Sequence, residues 1–230
     1  MKNIFNKIKY FFEKRRLFNQ VSLEQSNFVI LDTETTGLNS NKGDKIVSVA
    51  ALKICNFEID KENYLNYLIN PGIEIPHTST KIHGITNEDV KSQPSLLDIN
   101  KEILLFLKKS ILVGHNIDFD IGFIKNDAKG TDLARRMSVI QPIDTIFLSA
   151  GLFPDLKNYQ LDNLCDFFKI KMDDQIRHSA LGDCKITSRL FLLLLKEAKN
   201  RGIKNISGLI KLCEQGKNLH YLIKNSKNIH

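Results

Sequence analysis

Residues 30–38 read Ile-Leu-Asp-Thr-Glu-Thr-Thr-Gly-Leu, at the end of the apolar run Phe28-Val29-Ile30-Leu31. A short apolar run of this kind predicts a buried strand over 27–33. Side chains two apart on a strand point to the same face, so Asp32 and Glu34 stand side by side at the strand's exit. Two carboxylates that close repel each other, and ionised carboxylates resist burial. A divalent cation resolves the conflict, and hard carboxylate oxygens suit Mg²⁺ or Mn²⁺. A solvated acidic turn carries the same pattern, so this pair alone leaves both readings open.

The pattern around this strand sets the fold class. Residues 45–55 (KIVSVAALKIC) and 62–70 (ENYLNYLIN) read as two further strands, and the short connections favour antiparallel pairing. Pro71-Gly72 breaks the chain. Helical spacing follows over 95–108 and 117–128, with a short buried strand, ILVGH, at 111–115. Another strand near 139–144 precedes helices near 145–151, 160–168 and 180–199. Three strands followed by alternating helices and strands predict an α/β protein, a mixed sheet flanked by helices. The tail over 203–225 reads as two helical segments, with Gly216 as the stop between them. At the other end, Ile4, Phe5, Ile8, Phe11 and Phe12 recur at helical spacing among lysines, which predicts a basic amphipathic helix over 2–18.

The 230 residues are 42% hydrophobic and 26% charged, as in a globular protein, and glycine and proline are too scarce for a long linker. The organisation expected is an N-terminal basic helix (1–24), one domain (25–199) and a basic helical extension (200–230). The net charge of +7 is concentrated at the ends: residues 1–19 carry +5, residues 196–230 carry +6 and the body carries −4. Basic ends attract a polyanion, although solvated lysine-rich helices have the same composition. Cys55, Cys165, Cys184 and Cys213 are widely spaced with no C-x-x-C pair, which suggests free thiols in a reducing, cytoplasmic setting. The apolar run LFLLLL at 190–195 is far too short to span a bilayer, and no stable membrane insertion is expected.

Two more stretches concentrate chemistry. Residues 114–120, GHNIDFD, leave the strand ILV and enter a helix with His115, Asn116, Asp118 and Asp120 crowded together. Such strand-to-helix exits are where open α/β sheets place ligands. Residues 177–183, RHSALGD, open the long apolar helix. His178 and Asp183 are five apart, so His178 belongs in the preceding loop and Asp183 on the first turns. His178 alone reads as a surface loop histidine before it reads as a catalytic one.

Together, DTETTG, HNIDFD and HSALGD, in this order, resemble the three motifs of the DEDD exonuclease superfamily in its histidine-containing branch. That family includes the proofreading epsilon subunit of bacterial replicative DNA polymerase, RNase T and oligoribonuclease. The resemblance covers about residues 27–195 and includes IHGIT at 82–86 and IDTIFL at 143–148. It implies a ribonuclease-H-like mixed five-stranded sheet flanked by helices, with the N- and C-terminal helices as extras. It implies four metal-binding acids, Asp32, Glu34, Asp120 and Asp183, around two ions, with His178 as general base. Asp120 rather than Asp118 matches the family pattern H-N-x-x-F-D. Thr35, Gly37, Leu38, Ile82, His83, His115, Asn116 and Phe119 are the implied substrate contacts, and Thr36, Asn116 and Phe119 also fit purely structural roles as caps or core. Arg177 or the basic ends would grip phosphates further along.

The implied activity is 3′–5′ hydrolysis of single-stranded ends, DNA more than RNA, in proofreading or repair. RNA 3′-end trimming is the alternative within the same chemistry. A polymerase-tethered interaction subunit is the alternative of a different class. DNA polymerase and the sliding clamp are the partners to expect, and QVSL at 20–23 faintly resembles the start of a clamp peptide.

Overall fold

The computed structural model describes residues 21–171 and 178–227. Strand β1 (Phe28–Thr35) lies at the centre of a five-stranded mixed sheet. On one side it pairs antiparallel with β2 (Ile46–Cys55), which pairs antiparallel with β3 (Glu58–Leu68). On the other side it pairs in parallel with β4 (Ile111–Gly114), which pairs in parallel with β5 (Ile143–Asp144). The order is β3-β2-β1-β4-β5.

Both faces of β1 are covered, which explains its unbroken apolar start. Phe28 and Ile30 join Leu52 and Ile54 beneath the helix Ala180–Asn200, where Phe28 meets Phe191 edge to face at 5.0 Å between ring centres. Val29 and Leu31 face the other way, into a core shared with the helices Leu96–Phe106 and Ile117–Asp127. Each such side chain stabilises the fold by about 1.5–3 kcal/mol through burial. Asp32 and Glu34 continue the Phe28/Ile30 face, while Thr33 continues the Val29/Leu31 face.

In chain order the helices are α1 (His77–His83), α2 (Asn87–Val90), α3 (Leu96–Phe106), α4 (Ile117–Asp127), α5 (Asp132–Val139), α6 (Thr145–Leu152), α7 (Leu161–Phe168), α8 (Ala180–Asn200) and α9 (Ile206–Lys227). Helices α1, α2 and α5 were not expected from periodicity. Helices α1 and α2 are too short to establish a 3.6-residue repeat, and side-chain caps start α2 and α5. The Thr86 hydroxyl accepts from the Asp89 N–H while the Asp89 carboxylate accepts from the Thr86 N–H, and Thr131 caps α5 through the Ala134 N–H. Helix α5 takes the residues before 140, so the strand expected near 139–144 shortens to Ile143–Asp144.

The expected stop at Gly216 is not there. Helix α9 runs straight through it. A side chain at Gly216 would overlap the carbonyl oxygen of Phe147, and one at Gly151 would overlap the carbonyl of Leu212. These glycines let α9 and α6 cross backbone against backbone. Ile206, Leu209 and Cys213 of α9 are buried in the core beneath α8. The chain enters the fold nearby, where Leu23 is fully buried and its N–H donates to the Lys204 carbonyl at 3.2 Å. Leu23 of the QVSL stretch is therefore part of the core. The helix expected over 2–18, and Arg177, lie outside the described residues. Among the described residues, no helix is long and apolar enough to cross a membrane.

Candidate active site

The two faces of β1 carry acids from two different helices. On the Phe28/Ile30 face, helix α8 brings Asp183 to Asp32 and Glu34, and one carboxylate oxygen from each lies within 4.8 Å of the others. Ser179 starts α8 by accepting from the Gly182 N–H at 3.2 Å, which fixes the turn carrying Asp183. A register shift in the β1–β2 pairing between Glu34 and Thr35 re-aims the end of the strand, as bulges beside active sites do.

Asp120 approaches from the opposite side of the sheet, on the first turn of α4. It is buried, and the Thr33 hydroxyl donates to its Oδ1 at 2.6 Å. It stands outside the three-carboxylate cluster. Burial pushes its carboxyl up to about 7, the Thr33 hydrogen bond opposes this, and the charge of Asp144 adds to the rise. The buried thiol of Cys184, beneath the site, registers the combined field. Burial first, and then the charges of Asp32, Asp120 and Asp183, push it well above the ordinary thiol range.

His178 lies in the loop just before α8, exposed and with φ of 63°. This left-handed conformation is uncommon for a residue with a side chain. Three converging hard-oxygen donors, with a fourth acid on the adjoining helix, make a donor set that fits a divalent cation.

A groove of about 420 Å³ opens beside this cluster. Thr35, Gly37 and Leu38 line it from the turn after β1, Ile82 and His83 from α1, and Phe119 from α4. The Ser79 hydroxyl donates to the Thr36 carbonyl at 2.7 Å and ties α1 to that turn. Leu38 and Ile82 are 87% and 61% exposed, so two large apolar side chains stand open at a groove that also presents an acid, Glu34. The apolar walls suit the face of a base or sugar, and the acid can meet an adjoining phosphate only through a cation. His83 accepts from the Ile85 N–H through Nδ1 at 3.0 Å, which leaves the proton on Nε2. Burial holds His83 below the ordinary histidine range, opposed by the Thr35 backbone. At Gly37, a Cβ would come within 2.5 Å of the Asp44 carboxylate, so a larger residue there would have to displace that side chain.

His115 and Asn116 are not in the lining of this groove. The His115 Nδ1 meets the Thr145 hydroxyl at 2.9 Å, and Asn116 is the exposed, left-handed N-cap of α4. Sequence reasoning missed the residue that organises them. Asp144 accepts from the N–H groups of Ile146 at 2.8 Å, Ile117 at 3.1 Å and Asn116 at 3.2 Å. One carboxylate thereby caps α6 and α4 together. Burial pushes it up to about 6, helped by Asp118's charge and opposed by its three backbone donors. An acid placed directly before a helix was the available signal.

Comparison with known proteins agrees with the motifs. The exonuclease family model (RNase_T) matches residues 29–191. The chain is 39% identical over 189 residues to the PolC-type DNA polymerase III of Caldanaerobacter subterraneus subsp. tengcongensis, covering 82% of this chain and 13% of that one. It is 34% identical over 170 residues to the epsilon subunit of DNA polymerase III from Rickettsia conorii, covering 73% of each. Among solved structures, exonuclease X in complex with 5′ overhanging duplex DNA superposes with a TM-score of 0.61 at 24% identity, covering 81% of this chain and 99% of that one. The fold is therefore that of the exonuclease domains, in a chain spanning only a small part of its PolC-type relative. With the family model spanning more than half its length, this chain belongs to the exonuclease family.

Proposed function

We propose that this protein hydrolyses phosphodiester bonds stepwise from the 3′ ends of single-stranded DNA, in replication proofreading or repair. The observation that carries the reading is the meeting of Asp32, Glu34 and Asp183 at one end of a groove with open apolar walls. These three acids, with Asp120, hold two divalent ions, Mg²⁺ or Mn²⁺. When bound, such a pair supplies an activated water and charge stabilisation at the leaving 3′ oxygen.

The chain's own residues do the rest. His178 takes the proton of the attacking water, from a loop exposed to solvent that can carry the proton away. Leu38 and Ile82 pack against the terminal base and sugar. His83 forms part of the groove wall, and Phe119 closes the groove at its α4 side. Thr33 holds the Asp120 carboxylate in place. The likeness to an epsilon subunit favours association with a polymerase.

The test is degradation of matched 5′-labelled DNA and RNA single strands in Mg²⁺ or Mn²⁺, with Asp32→Ala as control. A ladder shortening from the 3′ end, faster on DNA and absent in Asp32→Ala, supports the reading. Faster loss of RNA moves the assignment to 3′-end trimming of RNA. No metal-dependent shortening of either strand sinks it.

A further inference from the structure

Helix α9 has no part in the motifs, yet it reaches the first turn of α4, the helix that carries Asp120 and Phe119. The route is a chain of fixed contacts. Asp144 caps both α4 and α6, and α9 is locked on α6 where Gly216 meets the Phe147 carbonyl and Gly151 meets the Leu212 carbonyl. This places the Lys217 ammonium 3.6 Å from Asp118, one residue before the groove-lining Phe119 and two before Asp120. The same ammonium lies 5.1 Å from the ring centre of Phe147 and 6.0 Å from that of Tyr221. Tyr221 is 48% exposed.

We infer that Lys217 and Tyr221 form a second nucleotide subsite on α9, which grips the single strand on the 5′ side of the scissile bond; this rests on the exonuclease reading above. An exposed aromatic ring beside a cation is what a flexible strand needs: the ring stacks a base and the cation meets a phosphate. Asp118, which Lys217 meets, and Phe119, which lines the groove, belong to the same first turn of α4. It stands on rigid elements, since α9 cannot shift against α6 without opening the glycine crossing. The Lys217–Asp118 pair is exposed on both sides, at 42% and 64%, and such pairs are weak. A strand phosphate can therefore draw Lys217 away from Asp118. The negative body of the protein makes this local cation more useful to a polyanion than the overall charge suggests.

The test measures binding of a fluorescein-labelled oligothymidylate to the full chain, with Ca²⁺ in place of Mg²⁺, over a series of salt concentrations. Tyr221→Ala should weaken binding about 5- to 100-fold, the range of one lost stacking contact. Lys217→Ala should lower the slope of log affinity against log salt by about 0.7, the value of one phosphate contact on a single strand. Lys217→Arg should restore the slope, and Asp118→Asn should tighten binding. A merely structural role for Lys217 would leave the slope unchanged. Unchanged affinity and slope in both alanine variants overturn the subsite and free this face for a protein partner. Hydrolysis by the wild-type chain is scored separately. Binding with the expected slopes but no hydrolysis rejects the exonuclease reading alone, and hydrolysis with unaltered binding in the variants rejects the subsite alone.

Discussion

The Thr33 hydroxyl donates to Asp120 Oδ1 at 2.6 Å, joining β1 to α4 across the face of the sheet opposite Asp32 and Glu34. One strand end thus controls four acids: two on its own face, a third that α8 brings to them, and a fourth tethered through the residue between the first two. The tether is a distinct element of the site, because Asp120 is buried and the Thr33 hydroxyl is the side-chain donor to its carboxylate.

Thr33→Val keeps the shape and removes the donor. A buried carboxyl deprived of a partner costs about 1–3 kcal/mol. The expected outcome is that much lost stability in urea titration, together with weaker metal dependence of hydrolysis, while Thr33→Ser keeps both near wild type. Equal stability of the valine variant and the wild type would show that the bond contributes nothing.

Asp32→Ala and His178→Ala should separate binding of the ions from proton transfer. Losing Asp32 removes a ligand from the three-carboxylate cluster and should abolish hydrolysis. Losing His178 removes a general base, a loss of about 10²–10⁴ in rate with residual activity left. Two equal, mild losses would contradict both roles.

Stability of the metal-free chain should fall as pH rises through neutrality. Folding raises the Asp120 carboxyl from 3.8 to about 7, so the folded state holds a proton that the unfolded chain has released. The destabilisation is absent below about pH 4, grows as pH rises through about 7 and is complete about one pH unit above that. Asp144, raised to about 6, acts in the same sense at lower pH, whereas His83, lowered by burial, acts in the opposite sense there. Over pH 6.5–8 the remaining fall is chiefly that of Asp120, with His83 opposing it near pH 6.5. In chelator, the loss across this range should be about 1 kcal/mol. Thermal melts at the two pH values would read it, and Asp120→Asn should flatten the difference. A melting temperature that climbs from pH 6.5 to 8 would rule out the buried, protonated Asp120.

The residue pattern disclosed the strands that carry long apolar runs and the helices long enough to repeat. It also placed Asp32, Glu34 and Asp183, because a strand exit and a helix start are local features. It did not disclose Thr33 as the holder of Asp120, since that contact spans 87 residues and depends on which face each helix covers. It missed Asp144 for the same reason: its three N–H donors come from two helices that only the fold brings together. His115 and Asn116 were grouped with the groove because they adjoin Asp120 in sequence. Asn116 takes a left-handed turn (φ 62°), and neither residue is in the groove's lining. Gly216 misled for a related reason, because a glycine that ends a helix and one that admits a neighbouring backbone look alike in sequence.

That ambiguity gives two identical substitutions with opposite outcomes. Helix interiors favour alanine over glycine by about 1 kcal/mol. In α4, a Cβ at Gly122 would find only the Ser40 hydroxyl, 4.0 Å away, so Gly122→Ala should stabilise the protein by about 0.5–1 kcal/mol. In α9, a Cβ at Gly216 would collide with the Phe147 carbonyl and come within 2.5 Å of the Gly151 nitrogen, both rigid backbone. Gly216→Ala must push α9 off α6, at a cost of about 1–3 kcal/mol or more that outweighs the gain in propensity. Because α9 carries Lys217 and Tyr221, the same variant should also weaken binding of a long single strand. Denaturant midpoints that move in the same direction for the two variants would mean that the crossing of α6 and α9 is looser than these backbone distances require.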